Sequence, residues 1–179
     1  LDRAVALKVV SPEGATDLDL LRRFELEAKA LGRLNHPHIV QVYDCGEATG
    51  RLFIALEFVD GRDCQKEVQT EGPFPREKAL QVIREAALGL RAAHQSGIIH
   101  RDVKPGNILL VRSPQGELTA KIADLGLALL SSTPDEGRLT RAGTVMGSPA
   151  YMAPEQSRAE AADHRSDIYG VGILLWEML

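Results

Sequence analysis

The amino-acid sequence predicts an α+β protein in two unequal parts, on three observations. The first third is rich in short β-branched segments and holds one helical stretch. The remainder carries longer helical periodicity broken by short strand-like pieces. Between them Gly61 interrupts the pattern, placing the boundary near residues 58–62. With 179 residues, 44% hydrophobic and 26% charged, the chain can bury the core of one or two small units.

The elements follow in order. Residues 3–10, Arg-Ala-Val-Ala-Leu-Lys-Val-Val, read as a strand. A loop with Ser11, Pro12 and Gly14 precedes a helix from an Asp17 N-cap to about Leu34, with Leu20, Phe24, Leu31 and Leu34 on one face. Asn35-His36-Pro37 ends it. Strands are predicted over about 39–45 and 51–58. A second helix spans 76–95, with Leu80, Ile83, Ala87 and Leu90 on one stripe and Gly97 as its stop. Short strands are predicted near 98–99, 108–111 and 119–123. Residues 129–150 form a Ser-, Thr-, Gly- and Pro-rich loop, a length that usually marks function. A last helix begins near Ser166.

Composition excludes several classes. The net charge of −4 gives no support for nucleic-acid binding, so any basic surface must be local. Cys45 and Cys64 share no CxxC or Cys/His pattern and read as free thiols of a reducing, cytoplasmic compartment. No apolar run reaches the roughly 18 residues that span a bilayer. Both ends look cut, so a membrane tether or sensor domain is expected only outside these residues.

The chemistry gathers in the second part. Asp102 and Asn107 lie five apart on a loop that Pro105 and Gly106 keep from becoming helix, and Asp124 follows a strand and precedes Gly126. Two carboxylates and an amide brought to one point make an oxygen-ligand site for a hard cation such as Mg²⁺. Any one of them alone would be an ordinary polar turn residue. The pattern His100-Arg101-Asp102-Val103-Lys104-Pro105-Gly106-Asn107, followed by Lys121-Ile122-Ala123-Asp124-Leu125-Gly126, is far more specific.

On these motifs the chain resembles the eukaryotic-type Ser/Thr protein kinases, in wording close to the bacterial members. The resemblance covers essentially the whole chain. It implies the bilobal kinase fold, truncated at both ends, with 1–58 as part of the N-lobe and 59–179 as part of the C-lobe. It implies ATP and Mg²⁺ (or Mn²⁺) as cofactors, and transfer of the γ-phosphate to Ser/Thr hydroxyls of protein substrates. Asp102 would take or orient the substrate proton, Lys104 would contact the transferring phosphate, and Asn107 and Asp124 would hold the metal. Leu125 stands where the family commonly has Phe.

Val5-Ala6-Leu7-Lys8 resembles the family's strand lysine motif. Glu27 lies three after Phe24 and four before Leu31, where a carboxylate is costly unless paired, and is the expected ion-pair partner of Lys8. Glu25 lies about 200° away around the helix. The alternative is a peripheral Glu at the edge of the stripe. Phe53 to Val59 resembles the adenine-binding strand and hinge, with backbone groups of Glu57 and Val59 as hydrogen-bond partners. Leu56 takes the gatekeeper position, and Ala6 and Leu109 would sandwich the base.

The resemblance also implies regulation. Arg101 would pair with a phosphorylated residue of the segment from Asp124 to Glu155. Autophosphorylation is expected at Thr140 or Thr144, with self-association as a possible route, and Ser131, Ser132 and Thr133 stand further back. Ser148 would bridge Asp102 and Lys104. Asp167 would anchor the catalytic loop, cap the last helix, or both. The Gly-rich phosphate loop would precede Leu1, so this piece alone is expected to be weakly active or inactive. The competing reading is a pseudokinase or inactive fragment that binds nucleotide or protein.

Overall fold

The computed structural model describes residues 3–9, 18–49, 51–113, 115–125, 149–158 and 160–179. The predicted N-cap Asp17 lies outside them. Alternation decides the first sheet. Strand β1 (Val5–Val9) and β2 (Val42–Ala48) flank the central β3 (Arg51–Glu57), all antiparallel. Every second residue of β3 turns inward, so Leu52 and Ile54 are buried. Helix α1 (Leu18–Gly32) closes that face, burying Phe24, Ala28 and Leu31 at helical spacing, with Leu34 just beyond its end.

The second sheet has the order β4 (Gly61–Asp63), β5 (Ile108–Arg112), β6 (Leu118–Ile122), again antiparallel. Its inner residues Ile108, Leu110, Ala120 and Ile122 are each at most 3% exposed. Helix α2 (Cys64–Glu71) follows β4 directly. Asp63 caps it, its carboxylate accepting from Lys66 N–H at 2.7 Å. Helix α3 (Arg76–Gln95) lies between β6 and α5 (His164–Met178), with the one-turn α4 (Pro154–Ser157) before α5.

The two sheets are joined by more than the 58–60 connection. Val40 N–H donates to Ile122 O at 2.8 Å, and Ile122 N–H to His38 O at 2.9 Å, a short parallel bridge. Glu57 N–H donates to Gln41 O at 2.8 Å. Residues 38–41 therefore tie β6 of one sheet to β3 of the other.

Several expectations are corrected. The buried stripe of α3 is Ala79, Val82, Ala86, Gly89, Leu90 and Ala93, whereas Leu80 and Ala87 face solvent. The cause is close packing: a Cβ at Gly89 would lie 2.7 Å from His38 O, so the inner face must be made of small residues. Small residues carry a weak periodic signal, and the larger Leu80 drew the stripe to the wrong side. Residues 98–99 are not a strand, the second strand begins at Val42, and α5 begins two residues before Ser166. The N-cap of α5 is Asp163, not Asp167. Its carboxylate is pulled down to about 2 by the Arg165 guanidinium and N–H. Neither cysteine is in a disulfide among the described residues, and burial pushes the thiol of Cys64 up to about 12.

Glu67 anchors α2 to its neighbours. It is buried, 3.2 Å from Lys78 Nζ and in contact with the Arg112 guanidinium. Burial alone would raise its carboxyl, but hydrogen bonds and charge from Lys78 and Arg112 outweigh it and hold the group below the usual range. A carboxylate lowered in the folded state stabilises above its unfolded titration, and that stabilisation disappears as pH falls through the folded value. Urea unfolding midpoints followed downward from about pH 4.5 are therefore expected to fall more steeply in the wild type than in Glu67→Gln. Parallel curves would remove this role from Glu67.

Candidate active site

Asp167, on the first turn of α5, is 1% exposed. Its Oδ2 accepts from His100 N–H at 2.9 Å and lies 2.7 Å from His94 Nε2, and its Oδ1 accepts from Arg101 N–H at 2.8 Å. A buried carboxylate is costly without such partners, and three donors from two elements supply them. One turn on, a Cβ at Gly170 would sit 2.8 Å from Val103 Cβ, so glycine there lets α5 approach the loop closely.

The loop itself is folded by its own side chains. His100 is fully buried; its Nε2–H donates to Ala123 O at 3.0 Å and its Nδ1 accepts from Asp102 N–H at 3.3 Å. A carbonyl accepts and an amide N–H donates, so these partners select the Nε2–H tautomer. Arg101 takes φ +67°, strained for a non-glycine residue. Asp167 holds its N–H, and Gln156 Nε2 donates to its carbonyl at 2.7 Å.

Asp102 Oδ2 lies 2.6 Å from Lys104 Nζ and accepts from Asn107 Nδ2 at 3.0 Å. Asn107 also donates to Asp102 O at 2.8 Å. Both donors of the amide are thus directed at Asp102, which leaves Asn107 Oδ1 as the atom available to a cation. Pro105–Asn107 form one 3₁₀ turn, and Asn107 O accepts from Ala123 N–H at 2.8 Å. Ala123 is therefore gripped on both sides, by His100 and by Asn107. The next residue, Asp124, has φ +56°. Leu125 beside it is buried and packs among Leu31, Ile39, Val42 and Leu56.

Lys8 reaches this point from the first sheet, its Nζ 2.9 Å from Asp124 Oδ1. The partner of Lys8 in this structure is thus Asp124, where the sequence leads to an expectation of Glu27. Glu27 lies 100° around α1 from the buried Ala28 and lines a cavity of about 300 Å³ with Leu31, Ile98 and Arg101. Lys8 and Asp124 are 44% and 42% exposed, so they meet without the desolvation that a pair under the helix would require.

On the hinge side, Leu56 pairs with Ala6 across β1 and β3 and is partly buried. Leu109 is half-buried on β5, opposite Lys121. Glu57 spends its side chain on Lys121, whose Nζ lies 2.8 Å from both carboxylate oxygens, and its N–H on Gln41 O. Among the described residues no hydrogen bond engages Val59 N–H. Beyond the loop, Tyr151 donates its hydroxyl to Glu177 of α5, and burial together with that carboxylate raises the phenol to about 12. Glu155 Oε1 accepts from Ser166 Oγ at 2.6 Å, which holds its carboxyl below the usual range. Thr140, Thr144, Ser148 and Gly126 lie outside the described residues.

Sequence reasoning missed His94, Gln156 and Lys121. Each acts through a hydrogen bond to a residue far along the chain, and only the position of Gln156, right after Ala153-Pro154-Glu155, offered a signal.

Among the described residues no group of three His, Cys, Asp or Glu is arranged to hold a metal ion. One carboxylate, Asp124, with one amide oxygen, Asn107, is nevertheless a donor set that fits magnesium, which is commonly bound by one or two carboxylates together with substrate phosphates. For the loop anchor, Asp167→Ala leaves two backbone N–H groups buried without acceptors and is expected to cost about 2–4 kcal/mol in urea unfolding. Amide exchange at His100 and Arg101 should accelerate in the same variant. Unchanged stability and exchange would show that Asp167 does not hold the loop.

Residues 2–179 match the family described as the protein kinase domain. The chain is 41% identical over 181 residues to the serine/threonine-protein kinase pkn3 of Myxococcus xanthus, covering 100% of this chain and 33% of that protein. It is 42% identical over 179 residues to the serine/threonine-protein kinase PknL of Mycobacterium tuberculosis, covering 100% of this chain and 43% of that protein. The solved Mycobacterium tuberculosis PknI kinase domain superposes with a TM-score of 0.76 at 33% identity, over 99% of this chain and 64% of that one. The chain thus spans less than half the length of these curated relatives. With the loop His100–Asn107 closed onto Ala123-Asp124 and the whole chain aligned to kinases, it belongs to the protein kinase domain family and covers part of that domain.

Proposed function

We propose that the protein carrying this chain is a Ser/Thr protein kinase that moves the γ-phosphate of ATP to Ser/Thr hydroxyls of protein substrates. The roles follow those of the family. The observation that carries the proposal is the double grip on Ala123, whose N–H and C=O are both bound by the loop that bears Asp102. It supports convergence of Asp102, Asn107 and Asp124 on one reacting centre.

Asp102, held by Lys104 and Asn107, accepts the proton of the substrate hydroxyl. Lys104, 2.6 Å from that carboxylate, would contact the transferring phosphoryl and offset its charge. Asn107 Oδ1 and Asp124 hold magnesium, which when bound neutralises phosphate charge. Lys8 would turn from Asp124 to the phosphate oxygens, which offer it a larger negative charge, with Glu27 of α1 as the proposed carboxylate that supports it there. Leu56, Ala6 and Leu109 form the apolar slot for adenine, with the carbonyl of Glu57 and the backbone of Val59 at its edge. Positioning of this kind, rather than covalent chemistry, supplies the rate.

Arg101 is the proposed receiver of phosphate on Thr140 or Thr144, since a phosphate adds about −1.5 to −2 charge and strong acceptors. Ser148 is proposed to lie beside Asp102 and Lys104 in the substrate-facing segment.

Radiolabelled ATP transfer by the full-length protein, set beside its Asp102→Asn variant, tests the central role. A loss of roughly 10²–10⁴-fold is expected. Equal rates would remove Asp102 from the reaction. Phosphopeptide mapping of active protein should find phosphate on Thr140 or Thr144, and both sites unmodified would rule out this mode of activation.

A further inference from the structure

Strand β6 delivers Asp124, yet it lies at the edge of its sheet, with β5 on one side only. An edge strand leaves alternate N–H and C=O groups without a ladder partner. Here Leu118, Ala120 and Ile122 present those groups, and Ala120 and Ile122 are each 1% exposed, so leaving them unmet would be costly. Three side chains answer them in turn. Gln81 Nε2 donates to Leu118 O at 2.7 Å. Glu85 Oε2 accepts from Ala120 N–H at 2.6 Å. His38 Nδ1–H donates to Ala120 O at 3.0 Å. The backbone of His38 and Val40 then takes both groups of Ile122.

The spacing makes this a substitute strand. Gln81 and Glu85 are one helical turn apart on α3, an advance of about 6 Å, while Leu118 and Ala120 are two strand residues apart, about 6.6 Å. A helix turn and a strand pleat therefore stay in step. Gln81 Nε2 also donates to Glu85 Oε1 at 3.1 Å, and His38 Nδ1 lies 3.8 Å from Glu85 Oε2, so the three side chains brace one another. Only Ala123 separates the end of this ladder from Asp124.

We infer that Glu85, with His38, is a positioning residue for the metal-holding carboxylate: it completes the open edge of β6 and thereby fixes where Asp124 meets the cation. This rests on the reading of Asp124 as a metal ligand. It assigns α3 a part in metal affinity although no residue of α3 lies at the reacting centre.

The test is Mn²⁺ binding, followed by electron paramagnetic resonance in the full-length protein at a fixed concentration of a non-hydrolysable ATP analogue. Wild type, Glu85→Ala, Glu85→Gln and His38→Ala are compared, with amide exchange at Ala120 as a second readout. Glu85→Ala is expected to weaken Mn²⁺ binding by about tenfold and to expose the Ala120 amide to exchange. Glu85→Gln keeps a carbonyl acceptor and should stay close to wild type. A folded Glu85→Ala with unchanged Mn²⁺ affinity overturns the inference, because a purely structural role would lower the amount of folded protein without moving the affinity of what remains. If Glu85→Ala does not fold, His38→Ala decides: unchanged affinity overturns it, weakened affinity supports it. Absence of nucleotide-dependent Mn²⁺ binding in the wild type overturns the reading of Asp124, and this inference with it, before any variant is needed.

Discussion

Asp167 is a charged group with almost no access to water, and the arrangement of the site depends on it. Its two oxygens take the N–H groups of His100 and Arg101 and the imidazole of His94. Hydrogen bonds to a charged acceptor contribute roughly 1.5–3 kcal/mol each, about twice a neutral one. They are directed at the two residues just before Asp102, so the position of the proposed base is set by α5, more than sixty residues later in the chain. Gly170 belongs to the same device, because a side chain there would push α5 away from Val103.

From that anchor the geometry propagates through backbone. Arg101 and Asp124 both adopt positive φ, which a non-glycine residue keeps only when its surroundings hold it there. Arg101 is held by Asp167 on its N–H and by Gln156 on its carbonyl. The stretch from β6 to Ala123 is held by His100 and Asn107 at its end and by the edge ladder from α3 and His38 along its side. Apart from Asn107, rigidity at Asp102 and Asp124 is thus supplied by residues outside the proposed reacting centre. The Lys8–Asp124 pair is the looser part, half-exposed and joined across the two sheets, which suits the exchange onto phosphate proposed above.

Legibility in the sequence followed the range of the interaction. The strand at Lys8, the helix 76–95 and the stop at Gly97 are local matters, and their signals lie within a few residues. Leu80 was misread because exposed leucine outweighs buried alanine in any count of apolar residues, and what selects alanine is the nearness of His38 O to Gly89. Glu27 meets a related limit. Its place on the helix face could be computed from the chain, but which cation lies opposite it depends on where β1 and β6 come to rest.

The sequence by itself determined the family, the strands β1, β2, β3, β5 and β6, the longer helices, and the chemical groups of the loop, because His100 to Asn107 are bound together by contacts two to five residues apart. Only the tertiary structure decided that Lys8 meets Asp124, that Asp167 takes the N–H groups of His100 and Arg101, and that Glu85 and His38 complete the edge of β6. Those outcomes compare the distances and burial of groups separated by dozens of residues, and a one-dimensional pattern carries neither quantity.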